Sequence, residues 1–217
     1  SFRNARAHCI QTKKELYVSV ARDEIADKKK QSIPPDTHIK LLELCNLRQV
    51  KQLPSTLPLY RGMQFLLYSK DCVRLQLMNG CLVTLEDILF SEDETLPVHS
   101  NIGEPIVLRY MPNQLLLRAV DARWTLPSSQ LPKLPSDMDR SGLFLLSTKT
   151  DYFTLGYSPS ETLHVRRTHF PIVPADTRIV YAAQGEGFEA SVVDLARPPR
   201  MPRETHWPVS YTHLTLP

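Results

Sequence analysis

The sequence predicts an α/β domain interrupted by an all-β insertion of barrel type. Strand–helix–strand texture stands in residues 1–57 and again after residue 168. Between them, short apolar runs alternate with turn residues, the texture of a small all-β module. Proline numbers 18 and glycine only 7 in 217 residues, inverting the usual shares of about 5% and 7%, so proline interrupts any long helix. Hydrophobic residues at 42% and charged residues at 23% are globular proportions and exclude a wholly disordered chain.

The elements follow in order. Residues Asn4 to about Glu15 contain no Pro or Gly and read as a short helix. Leu16–Ala21, Leu-Tyr-Val-Ser-Val-Ala, has the β-branched and aromatic enrichment of a strand. Pro34-Pro35 ends what precedes it, and Asp36 or Thr37 caps a short helix with Ile39, Leu42 and Leu44 partly on one face. At Pro58 the texture changes. Asn79-Gly80 lies between Leu75–Met78 and Cys81–Leu85 and signals a hairpin, since both turn residues tolerate positive φ. Ser91–Glu94 reads as an acidic turn. Ile106–Tyr110, Leu115–Val120 and Leu143–Leu146 read as strands, and Trp124–Arg140 as a long loop rich in Pro and Ser. Phe170–Val173 is a buried-strand candidate, Pro174 opens a helix to about Ala183, and Ser191–Leu195 is a further strand.

Several function classes are excluded. No apolar run approaches the roughly 20 residues of a membrane helix. Cys9, Cys45, Cys72 and Cys81 are widely spaced with no CxxC, which argues against a disulfide framework or zinc site and for a reducing compartment. His164 and His169 have no Cys or carboxylate at ligand spacing and read as strand or surface histidines. No glycine is followed by lysine, so the P-loop is absent, as are GxSxG and HExxH. The chain begins at Ser1 with no signal-peptide pattern and reads as a fragment. The basic excess is local: residues 1–57 hold eleven Lys/Arg against six Asp/Glu, mainly through Arg3, Arg6, Lys13, Lys14 and Lys28–Lys30. Such a patch suits phosphate; on charge alone a solvated face is favoured.

Three stretches in order resemble one family. Phe2-Arg3-Asn4-Ala5-Arg6 opens the chain. Leu59-Tyr60-Arg61-Gly62-Met63-Gln64-Phe65-Leu66-Leu67 is followed by Leu77-Met78-Asn79-Gly80-Cys81-Leu82-Val83. Val165-Arg166-Arg167-Thr168-His169-Phe170-Pro171-Ile172-Val173-Pro174-Ala175 is followed by Ala183-Gln184-Gly185-Glu186 and Val192–Leu195. Together they resemble the C-terminal part of the petite-integration-frequency (PIF-one-like) superfamily-one DNA helicases, transposon-borne Helitron relatives included, over residues 1–207.

The resemblance implies that residues 1–57 and 169–207 are two parts of a second RecA-like domain, with 58–168 an inserted SH3-like β-barrel module and 208–217 a non-native tail resembling translated vector. It implies an ATP-dependent 5′ to 3′ DNA helicase as parent, using ATP and Mg²⁺ on a first domain absent from these residues. Partners would be single-stranded or forked DNA, not a membrane, in the nucleus or mitochondrion; protein partners are unspecified. Gln184, Gly185 and Glu186 would couple the nucleotide site to the DNA; on the residues alone, Gln184-Gly185 reads as a helix end. Arg3 and Arg6 would face nucleotide or DNA phosphate, and Lys13 and Lys14 would bind DNA. One of Arg166 and Arg167 would pair with phosphate, the alternative being a solvated edge-strand charge.

The chain departs from the pattern at Ile179-Val180-Tyr181-Ala182, where the family has Thr-Ile-His-Lys; Tyr181 could still stack on a base. The expected arginine-finger motif near Trp207 is missing too. Two other readings stay open: a non-catalytic nucleic-acid-binding or interaction module from a decayed transposon helicase, and an SH3-like adaptor carried by Leu59–Val83 alone.

Overall fold

The computed structural model describes residues 2–26, 35–43, 54–68, 75, 77–97, 101, 103–120, 122–135, 138–158 and 161–175. Pro174 itself ends a strand, Ile172–Pro174, rather than opening a helix; the rest of the expected helix to Ala183, the Ser191–Leu195 strand, the Lys28–Lys30 run and the 208–217 tail lie outside these residues.

Helix α1 (Phe2–Thr12) forms where Pro and Gly are absent, and turns Ala5 and Cys9, one turn apart, into the core. It stops at Lys13, whose φ is 53°, and the Lys14 N–H reaches back to the Cys9 carbonyl at 3.1 Å. That six-to-one bond around a left-handed residue is a Schellman helix end. Strand β1 (Leu16–Val20) follows, then β2 (Arg22–Ile25) after the single buried residue Ala21. Helix α2 (Pro35–Glu43) starts on a proline, which lacks the N–H that a first turn cannot use, and Asp36 sits in its positive first turn. Thr37 and Leu41, four apart, are buried.

The remaining strands are β3 (Thr56–Leu59), β4 (Gln64–Leu67), β5 (Leu82–Leu89), β6 (Pro105–Val107), β7 (Gln114–Ala119), β8 (Leu143–Ser147), β9 (Lys149–Ser158), β10 (Glu161–His169) and β11 (Ile172–Pro174). They form three sheets, ordered β3-β1-β6, β2-β10-β9 and β11-β4-β5-β7-β8. All pairings are antiparallel except β1 with β6. In β5 the alternation slips at a bulge between Leu85 and Asp87, so that Val83, Leu85 and Ile88 are buried. The core joins Leu16, Leu57 and Leu59 to Phe65, Leu67, Val83, Leu85, Leu115, Leu117 and Phe144, and takes in Ala5, Cys9, Phe170 and Ile172.

The architecture is mixed α/β and mostly sheet, and it corrects two expectations. Among the described residues no sheet closes into a barrel. The strands of 58–168 are shared out instead: Pro58 and Leu59 of β3 and all of β6 pair with β1, and β9–β10 pairs with β2. Strand spacing predicts how many strands form; partner choice depends on distant residues. The Asn79-Gly80 turn is present, but its first arm is β4 rather than Leu75–Met78: Phe65 pairs with Val83, and the Gly80 N–H bonds the Leu67 carbonyl at 2.7 Å. Among its described residues the long loop is as expected, broken only by a 3-10 turn at Ser128–Gln130 and a Thr125–Ser141 bridge. Arg118 clamps it to β7, donating to the Ser141 carbonyl (2.7 Å), the Asp139 carbonyl (2.8 Å) and Glu86 (2.5 Å). Among the described residues no helix is long and apolar enough to cross a membrane.

Candidate nucleic-acid interface

Of the basic residues of the first segment, Arg3 and Arg6 lie on α1, which carries no acid, and Lys13 and Lys14 follow its last residue. Arg3 is exposed. Arg6 is exposed too, but its Nε donates to the Gly103 carbonyl at 2.9 Å, fastening α1 to the loop before β6. Gly103 has φ +86°, and a Cβ added there would lie 2.3 Å from Ile10 Cγ1, so the loop approaches α1 as only glycine allows.

The other end of α1 meets the β3–β4 turn. Tyr60-Arg61-Gly62-Met63 closes through a bond from the Met63 N–H to the Tyr60 carbonyl (3.0 Å), with Gly62 at φ +89°, which suits the third position of a type II turn. Lys14 Nζ donates to the Arg61 carbonyl at 2.8 Å and stands 6.0 Å from the Tyr60 ring centre. His8, one turn before the helix end, stacks on Tyr60 with ring centres 4.9 Å apart and planes 23° from parallel. Arg61 pairs with Asp87 at 2.7 Å, both partly exposed. Tyr17 beside this corner donates to Glu15; burial, then that bond, pushes its hydroxyl well above its ordinary value. The corner therefore holds two cations, Lys14 and Arg61, two near-parallel rings and an ordered turn.

The second expected cluster splits. Neighbouring residues of a strand face opposite sides. Arg166 faces out from β10 and pairs with Glu24; the hydrogen bond to Glu24 raises its guanidinium further. Around it lie Tyr152 at 56% exposure, His164 and Thr154 in mutual hydrogen bond (3.1 Å), and the Thr150–Thr168 hydroxyl pair (3.1 Å). Arg167 faces in, and its assignment to DNA is corrected. It is 0% exposed, forked onto Asp23 by two bonds of 2.7 Å, 3.5 Å from the Leu41 carbonyl and 5.0 Å from the Phe153 ring centre. It is neither a phosphate contact nor a solvated edge charge, because β10 is the middle strand of its sheet. His169 is a strand histidine: its Nδ1 donates to the Phe170 carbonyl (2.9 Å) and its Nε2 meets Asp151 Oδ2 (3.1 Å).

The structure thus brings Lys13 and Lys14 together at one corner and keeps Arg3 and Arg6 on the same helix. Arg166 and Arg167 stand on opposite faces of another sheet. Tyr181, Gln184, Gly185 and Glu186 lie outside the described residues. Sequence reasoning missed Tyr60, His8 and Arg61 as neighbours of Lys14. Their signal was present in Tyr60-Arg61, an adjacent aromatic-basic pair, but no local rule joins residues about fifty positions apart. Among the described residues no three His, Cys, Asp or Glu side chains stand together as metal ligands.

No protein-family model matches the chain, and no curated protein does. Among solved structures the chain is similar to the crystal structure of Pif1 helicase from Candida albicans, at 16% identity and a TM-score of 0.41, over 85% of this chain and 35% of that one.

Proposed function

We propose that this chain is the C-terminal part of an ATP-dependent 5′ to 3′ DNA helicase of the petite-integration-frequency class, contributing contacts to single-stranded or forked DNA. One observation carries the reading. The stretches whose order resembles that family are distant in sequence yet adjacent in the fold: Phe65–Leu67 of β4 pairs on one side with Leu82-Val83 of β5 and on the other with Ile172–Pro174 of β11. The basic helix α1 packs its buried side into the same core. In this reading residues 1–57 and 169–207 belong to a second RecA-like domain and 58–168 to its insertion.

ATP and Mg²⁺ belong to the parent protein. The assignment rests on the sequence, which has no Gly-Lys step for a P-loop. A nuclear or mitochondrial location follows from the same class. A second reading, a non-catalytic module from a decayed transposon helicase, is favoured by Tyr181 and Ala182 standing where the family has His and Lys.

Fluorescence anisotropy of labelled oligo-dT tests the shared claim. Affinity is expected to fall steeply between about 50 and 200 mM salt, because each phosphate contact releases counterions. Binding that ignores salt, or no binding, refutes it. Joining the chain to the parent's upstream domain separates the two readings: DNA-stimulated ATP hydrolysis supports the helicase, and continued silence with intact binding supports the module.

A further inference from the structure

We propose that the corner where α1 ends against the β3–β4 turn is a base-stacking subsite for single-stranded DNA. Tyr60 and His8 form the platform, and Lys13, Lys14 and Arg61 contact the flanking phosphates. The inference rests on the single-strand reading above and names the place and manner of contact.

Three independent features converge on this corner. Lys13 is the left-handed residue of the helix end, at φ 53°, where glycine is the ordinary choice because a Cβ is strained there. It is the only non-glycine residue with positive φ among those described. A lysine in that position puts a positive charge in the residue next to Lys14, at the end of the helix.

Lys14 is held rather than waving. Its amine donates to the Arg61 carbonyl at 2.8 Å and lies 6.0 Å from the Tyr60 ring centre, so a fixed cation stands beside an aromatic ring. An ammonium can accept further partners, since it has three donors.

Tyr60 and His8 supply a near-parallel, half-exposed pair of rings 4.9 Å apart. Flat rings beside ordered cations match a nucleotide strand, whose bases and phosphates alternate, better than they match an acidic peptide, which needs only the cations. The acids nearby are already engaged: Asp87 with Arg61, and Glu15 with Tyr17.

The test uses the full chain and two labelled oligonucleotides of equal length and charge, oligo-dT and a fully abasic strand. The wild type is expected to prefer oligo-dT. Tyr60→Ala should weaken oligo-dT about tenfold, the scale of one lost base stack, and leave the abasic strand unchanged, while Tyr60→Phe keeps the preference. Lys13→Gly should raise the melting temperature, by relieving the strained residue, yet weaken both oligonucleotides and flatten the salt slope by about 0.7. That opposition of stability and binding cannot come from a damaged fold. Equal losses on both strands in Tyr60→Ala, or an unchanged oligo-dT affinity, overturn the subsite while leaving single-strand binding standing. Absence of binding by the wild type overturns both.

Discussion

Replacing Asp23 with Asn should destabilise the chain far more than a surface charge would. Asp23 and Arg167 lie opposite each other in the β2–β10 register, and their side chains are 0% and 1% exposed. The fork makes two bonds of 2.7 Å, and Arg167 also meets the Leu41 carbonyl and the Phe153 ring. Two unit charges about 4 Å apart attract by about 4 kcal/mol at an effective dielectric near 20. Desolvation of both groups cancels much of that, so the intact pair contributes little net stability. Removing one partner is different. Arg167 would keep its charge, lose its carboxylate and stay out of reach of water, at a cost of about 3–5 kcal/mol. For a chain of this size that is a fall of roughly 6–20 °C in melting temperature.

Urea titration followed by circular dichroism measures the loss, and the double variant Asp23→Leu with Arg167→Met supplies the control. With both charges gone, stability should return to within about 1–2 kcal/mol of the wild type. A cost below about 1 kcal/mol for Asp23→Asn, the ordinary worth of an exposed pair, would refute the burial argument. So would a double variant whose loss equals the sum of the single losses, since contacting partners must couple.

Gly103→Ala should detach α1 from the loop before β6, because the new methyl would meet Ile10 Cγ1 at 2.3 Å and the +86° φ costs a further 1–2 kcal/mol or so; faster hydrogen exchange in residues 2–12 checks it, and unchanged exchange refutes it. Hydrogen bonds from the Ser141 N–H and hydroxyl, with Arg118 nearby, hold the Asp139 carboxyl below its ordinary range. A carboxyl lowered on folding adds stability above its unfolded value and loses it as pH falls toward the folded one. Protection of residues 122–135, corrected for intrinsic exchange rates, should therefore weaken below about pH 4 in the wild type and show less of that acid step in Asp139→Asn.

Some of this protein was legible from local chemistry alone. The helix at the N-terminus, the strand at Leu16, the Asn79-Gly80 turn, the strands at Leu115 and Leu143 and the loop from Trp124 all follow from neighbours a few residues apart. Strand β2, Arg-Asp-Glu-Ile, carried no apolar alternation and went unread, because its inward residue is a carboxylate matched by an arginine 144 positions later. The closed barrel was expected for a related reason: spacing announces strands, while their partners are chosen by which faces can be buried together. The candidate site divides the same way. Composition marked the basic first segment. Only the fold brings the Tyr60 turn beneath Lys14 and sends Arg166 to solvent and Arg167 to the interior, since register decides the face and register is set by contacts across the chain.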